Sequence, residues 1–213
     1  MIHQEPDPLS IPSSPPTQPR LVIASQNPGK LREFQTYLAD LAWDICLMPA
    51  DLDIPETEPT FLGNACLKAT VVAQATGDWA IADDSGLEVV ALAGAPGIYS
   101  ARYGQTDPER IQRLLDELGE ELNRQAWFTC ALALARPDGQ IALTEIGRCA
   151  GEILSAPRGE NGFGYDPIFY VPSQAQTFAE MSAETKRQIS HRGVALAGML
   201  PKLKQILSKA ELL

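Results

Sequence analysis

Histidine is nearly missing from this 213-residue sequence: His3 and His191 are the whole supply. A zinc site built on several histidines is therefore excluded. Any metal would be held by oxygen ligands, which points to magnesium, with manganese as the alternative. Cysteine is also scarce. Cys46, Cys66, Cys130 and Cys149 form no C-x-x-C pair and are too few for a disulfide scaffold. They are read as reduced, buried thiols of a cytoplasmic protein. Positive charge is in deficit, with 17 Lys and Arg against 27 Asp and Glu, a formal charge of −10. That argues against a nucleic-acid partner and against docking on an anionic membrane, both of which need a basic face. It leaves room for a small anionic ligand, which needs only a few local cations. No apolar run approaches the ~20 residues of a membrane span. The first residues have neither a basic stretch nor an apolar one, so they are not read as a secretory signal.

What is present is an ordinary globular composition, 45% hydrophobic and 21% charged. The length suits one domain with a sizeable core. Proline is concentrated at the start, six of 17 falling within Met1–Pro19. Residues 1–19 read as a disordered Pro-rich extension, and residues 20–213 as one folded domain.

Leu21–Ala24 is a short apolar run that reads as a buried strand. The polar loop Ser25-Gln-Asn-Pro-Gly-Lys30 follows, and Leu31, Phe34 and Leu38 then recur at helical spacing. Strand, loop and helix in that order place backbone N–H groups and Lys30 at a helix start, a natural anion site. Thr60–Ala75 is a second helical stretch. Trp79–Ala82 is a strand ending in Asp83-Asp84-Ser85-Gly86, and Leu87–Leu92 continues as strand or helix. Asp107-Pro108-Glu109 predicts a helix start with Asp107 as N-cap, and Gly119 a stop. Trp127–Ala135 and Gln140–Ile146 flank Pro137-Asp138-Gly139 as a hairpin. Gly151–Leu154 and Ile168–Val171 are further strand candidates. Ser190 caps a last helix, which Pro201 is expected to kink or break. The elements predict a single α/β domain with a central mixed sheet flanked by helices.

Polar residues and glycines interrupt these elements in four clusters. Adjacent Asp83 and Asp84 at a strand end would repel each other unless a cation sat between them. With Glu56 they suit Mg²⁺ held partly by water and phosphate. Lys30, Lys68 and Lys186 each fall inside a cluster. In Gly162-Phe-Gly-Tyr-Asp-Pro167, two glycines flank an aromatic ring that can stack on a base. Ser190-His-Arg-Gly193 offers a dense donor set at a helix start. No Walker A loop and no G-x-S-x-G elbow is present, which argues against a P-loop ATPase and a serine hydrolase.

Five stretches in this order, SQNPGKLREF (25–34), ETEPTFLGNACLKA (56–69), ADDSGLEVVALAGAPGIYSARY (82–103), GENGFGYDPIF (159–169) and 177–196, resemble the inosine/xanthosine triphosphate pyrophosphatase family. The resemblance covers roughly residues 21–208. It implies an elongated α/β domain of two lobes around a deep nucleotide cleft, usually a homodimer. It implies Mg²⁺-dependent hydrolysis of dITP, ITP and XTP to the monophosphate and pyrophosphate, removing deaminated purines from the nucleotide pool. Carried onto this sequence, Ser25, Gln26, Asn27, Pro28, Gly29, Lys30 and Ser85 would line the triphosphate site. Glu56, Asp83 and Asp84 would bind the metal. Asp84 would act as general base, with Lys68 facing the metal and phosphates. Phe163 would stack on the purine, with Gly164, Tyr165 and Asp166 shaping its pocket. Lys186, His191 and Arg192 would grip phosphate and the purine oxygens. A nucleotide-binding protein without turnover, and a related pyrophosphatase with another base preference, are the alternatives. The family commonly has Thr at Ser25, Gly at Glu58 and Glu at Gly63, so one acid is missing and another is gained nearby.

Overall fold

Strand β1 (Arg20–Ile23) lies between two parallel partners, β2 (Asp44–Leu47) and β3 (Trp79–Val89). This computed structural model describes residues 19–210. The extension expected over residues 1–19 thus lies outside the described residues, apart from Pro19. From β3 onward the sheet is antiparallel, through β4 (Gln125–Ala135), β5 (Ile141–Ile153), β6 (Phe169–Val171) and β7 (Gln176–Thr177). The order is β2-β1-β3-β4-β5-β6-β7, a mixed sheet of seven strands in one α/β domain. Helices α1 (Pro28–Tyr37), α2 (Phe61–Thr76), α3 (Asp107–Leu118), α4 (Ala183–Ile189) and α5 (His191–Ala210) flank it.

Side chains alternate between the two faces of a strand, and each face has its own helix cover. Leu21, Ile23, Ile81, Cys130, Leu132 and Leu134 pack with Phe34 of α1 and Ala195, Leu196 and Met199 of α5. On the other face, Val22, Ala80, Ala82, Ala131, Ala133 and Ala135 pack with Ala65, Ala69, Val72 and Ala73 of α2. This second layer is almost entirely alanine, so α2 lies close against the sheet. A third cluster gathers Leu87, Phe128, Phe169 and Phe178 with Ile111 and Leu114 of α3.

Several elements differ from expectation. β3 runs unbroken through the Asp-Asp-Ser-Gly segment, because β4 pairs with it from Ala80 to Val89. β5 is one strand where two were expected, since β4 is long enough to pair along its whole length. Thr106, not Asp107, caps α3. Its hydroxyl accepts from Glu109 N, while the Asp107 carboxylate is engaged elsewhere. Pro201 does not end α5, whose buried stripe of Ala195, Leu196, Met199, Leu203 and Leu207 holds both halves to one sheet face. Ser190 does cap α5: its Oγ accepts from Gly193 N at 3.2 Å. Gly147 lets α5 approach the sheet, because a Cβ there would lie 2.1 Å from the His191 carbonyl oxygen.

Candidate active site

The loop after β1 is ordered by its own side chains. Ser25 Oγ accepts from Asn27 N at 3.1 Å, and Asn27 Oδ1 accepts from Gly29 N at 2.8 Å, capping α1 ahead of Pro28. Gln26 turns away and donates to the carbonyls of Ala50 and Leu52. α1 then carries Lys30 back to β3, where its Nζ lies 2.6 Å from Asp83 Oδ1.

Asp83 and Asp84 do not clasp one cation between them, because consecutive residues of a strand face opposite ways; Lys68 touches Asp84 and reaches Asp83 only through its charge. Asp83, 2% exposed, looks towards α1 and α5. Beside Lys30, Arg192 Nη2 donates to its Oδ2 at 3.1 Å, and Ser85 Oγ lies 3.4 Å away. Burial alone would raise its pKa, but Lys30, Arg192 and Lys68 outweigh burial and hold the carboxyl far below the usual range.

Asp84 looks towards α2. Its Oδ2 accepts from Asn64 Nδ2 at 3.1 Å and its Oδ1 faces Lys68 Nζ at 3.3 Å. Asn64 and Lys68 are one helical turn apart, so both reach the same spot. Lys68 Nζ also lies 2.7 Å from Glu56 Oε1, and Arg102 pairs with the other Glu56 oxygen at 3.5 Å. Burial, seconded by the Glu56 charge, pushes the Asp84 carboxyl up to about 6 against the pull of Lys68. Burial also opposes the Glu56 charge, but Lys68 and Arg102 prevail and keep that carboxyl low. Lys68 is held firmly protonated, since Asp84, Asp83 and Glu56 overcome its burial.

The glycine-rich segment after β5 presents Phe163 to solvent, 65% exposed. Asp166 accepts from Phe163 N at 2.9 Å and pairs with Lys186 Nζ at 2.5 Å. The Lys186 ammonium stands 5.1 Å from the Phe163 ring centre. Gly164, in a left-handed conformation with φ +61°, donates its N–H to Asp107 Oδ2 at 2.7 Å. Tyr165 is buried and donates to the Ser100 carbonyl at 2.9 Å. The Ser100 hydroxyl in turn accepts from Leu87 N, three residues beyond Asp84.

His191 is not placed to grip phosphate. Its ring stacks on Phe128 at 4.7 Å and lies near Phe178, and its Nδ1 is buried without a partner among the described residues. Burial, with Arg192 and Lys186 nearby, drives its pKa well below the ordinary value, so the ring stays neutral. Arg192 is at the site, but on the Asp83 side.

The sequence marks no place at this site for Asn64 or Arg102, and marks Asp107 only as a helix cap. Asn64 was legible in principle, four residues before Lys68 on one helix. Asp107 was not, since its contact spans 57 residues.

Glu56, Asp83 and Asp84 do not form one ligand set, and no cluster of three His, Cys, Asp or Glu fit for a metal occurs among the described residues. Glu56 and Asp84, on either side of Lys68, are a pair of oxygen donors. Such a pair suits Mg²⁺, which is bound through one or two carboxylates, waters and substrate phosphates.

The mixed sheet, with a carboxylate–lysine–carboxylate cluster on one face of β3, defines an α/β protein. The chain belongs to the Ham1 family, whose sequence model matches residues 21–202. A dITP/XTP pyrophosphatase of Nostoc sp. is 61% identical over 190 residues, 89% of this chain and 97% of that relative. The dITP/XTP pyrophosphatase of Thermosynechococcus vestitus is 60% identical over 85% of this chain and 93% of its own length. The solved Ham1 protein of Staphylococcus aureus superposes with a TM-score of 0.82 at 43% identity, covering 87% of this chain and 98% of that one.

Proposed function

We propose that this chain hydrolyses the non-canonical purine nucleoside triphosphates dITP, ITP and XTP to the monophosphate and pyrophosphate. The Glu56–Lys68–Asp84 constellation carries this reading, in a chain whose close relatives are named dITP/XTP pyrophosphatases.

Asp84 takes the proton of the attacking water. A carboxyl poised near 6 is ionised at neutral pH and is still basic enough to accept a proton. Asn64 and Lys68 fix its two oxygens, so the base does not reorient as charge develops. Lys68, kept protonated, faces the growing negative charge of the phosphates. Lys30 is steadied by Asp83 and has two further ammonium protons for phosphate oxygens. The Ser25–Lys30 loop adds the Lys30 N–H, since Pro28 has none and the Gly29 and Leu31 amides donate to Asn27. Glu56 and Asp84 would hold Mg²⁺, with Mn²⁺ as the substitute, which when bound offsets phosphate charge. Phe163 stacks on the purine. Lys186, beside its ring, is the donor that meets an oxygen at purine C6, where adenine carries an amine.

The same reading places the enzyme in the cytoplasm as a homodimer. The four cysteines are all unpaired, as a reducing compartment requires. Sedimentation tests the dimer.

The deciding experiment is pyrophosphate release from purified protein with Mg²⁺, comparing dITP, XTP, GTP and ATP. Turnover of the first two with little of the others is expected, and chelation with EDTA should abolish it. Equal turnover of all four would overturn the base selectivity. Saturable binding of dITP without pyrophosphate would leave a nucleotide-binding protein.

A further inference from the structure

Phe163 is the most exposed ring near the site, and its backbone has little intrinsic stiffness. It sits between Gly162 and Gly164, both at positive φ. A chain with two glycines has many conformations to lose, and ordering such a segment on binding weakens affinity. Something must hold it in place beforehand. Asp166 does part of this from within the segment, accepting from Phe163 N while a turn closes from Asp166 N to the Phe163 carbonyl at 3.3 Å. The Gly164 N–H, at the crest of that turn, points outward and has no use inside it. It is met from another part of the fold. Asp107, in the first turn of α3, presents Oδ2 at 2.7 Å. Its other oxygen is held by the Arg110 guanidinium, which is itself anchored on the Gly104 carbonyl at 3.1 Å.

Resting on the function proposed above, we propose that Asp107 is a positioning residue for base recognition, fixing the left-handed Gly164 turn so that Phe163 is presented to the purine already ordered. The carboxylate does not touch the reacting atoms and lies on a different element from every residue of the phosphate side. Its loss therefore separates the base half of recognition from the phosphate half. An acid in the first turn of a helix also favours the helix itself, so the test needs a readout that a purely structural role leaves unmoved.

In Asp107→Ala, KM for dITP is expected to rise about tenfold, the worth of one hydrogen bond to a charged group, with kcat unchanged. Inhibition by inorganic tripolyphosphate, which has no base, stays at the wild-type level. Asp107→Asn keeps an acceptor for Gly164 N and recovers most of the loss. On a Phe163→Ala background the Asp107→Ala change adds nothing further. Amide hydrogen exchange over residues 159–166 accelerates in Asp107→Ala, and this measurement needs no turnover. A wild-type protein that releases no pyrophosphate sinks the functional reading, while the exchange result still decides the positioning role. Unchanged exchange at Gly164 overturns it. So does a parallel loss of dITP and tripolyphosphate affinity, or a full effect of Asp107→Ala without the Phe163 ring.

Discussion

Asp83 and Asp84 share a peptide bond, yet their carboxylates lie on opposite faces of β3. One is locked to Lys30 and Arg192, the other set between Asn64 and Lys68. The same burial has opposite results on the two. Three cations hold Asp83 far below the ordinary range, whereas Asp84, with Glu56 beside it, rises to about 6. A carboxylate locked by cations and a carboxyl raised by burial thus come from one dipeptide, separated by the thickness of a strand.

The first expectation is a split between activity and stability. Asp84→Asn should lower kcat by about 10²–10⁴-fold, the usual contribution of a general base, while dITP still binds. Its unfolding midpoint in urea should hold or rise, since a neutral amide avoids the burial cost of the charge. Asp83→Asn should cost about 2–3 kcal/mol of stability, because Lys30 and Arg192 both lose the buried carboxylate they pair with, discounted for the partial exposure of Lys30. Urea unfolding and pyrophosphate release on both variants check this. A reversed pattern would exchange the two roles.

Phe163→Ala should weaken dITP binding by about 1–3 kcal/mol, the worth of a base stacked on an aromatic ring. The exposed ring contributes little to the core, so thermal unfolding should barely move. An unchanged KM would remove the ring from the base site.

His191 should tilt stability with pH. Its folded pKa lies well below the ordinary 6.5. Below about pH 6.5 the unfolded chain therefore binds a proton that the folded chain refuses, and stability is lost as pH falls. Asp84 acts in the opposite sense: its folded pKa is raised from 3.8 to about 6, so the folded state gains as pH drops through that window. His191→Phe keeps a ring against Phe128 and removes only the histidine contribution. The stability of the variant relative to wild type should be greater at about pH 5.5 than at about pH 7.5. A pH-independent difference in urea midpoints would mean that the buried ring accepts a proton after all.

Gly63 and Glu58 should behave as one unit. A Cβ at position 63 would stand 2.8 Å from Glu58 Cβ and 3.1 Å from Thr60 Oγ1. Gly63→Ala, which in a free helix stabilises by roughly 1 kcal/mol, should here cost about 1–3 kcal/mol by overpacking. Adding Glu58→Gly should relieve most of that cost, which a double-mutant cycle in urea would measure. A stabilising Gly63→Ala would show that the segment gives way freely.

The strand, loop and helix that open the domain were legible because their apolar spacing and Pro-Gly punctuation are local. So was the Asp-Asp-Ser-Gly segment as a place where charged side chains gather. Its two-sidedness was not anticipated, although it follows from strand periodicity once β3 is known to continue through it. The length of β3 and β5 depends on β4 lying between them, a long-range pairing with no local signature. The helix start and the resemblance make His191 a donor towards phosphate and the purine oxygens. Burial against Phe128 and Phe178 decides otherwise, and those partners are distant in sequence. Asp107 was read from its position before Pro108 as a helix cap, while its partner Gly164 could only be found in three dimensions.

The alanine layer between α2 and the sheet has a consequence for the chemistry above it. Asn64 and Lys68 reach Asp84 from a helix whose distance from β3 is gauged by methyl groups at 65, 69, 73, 80, 82, 131 and 133. Those residues have no reactive atoms, yet together they calibrate a gap in which Asp84 is gripped at both oxygens. A leucine at any of them would be a mild change by hydropathy. Mechanically it would be a wedge, lifting the lysine and the asparagine off the carboxylate in one movement.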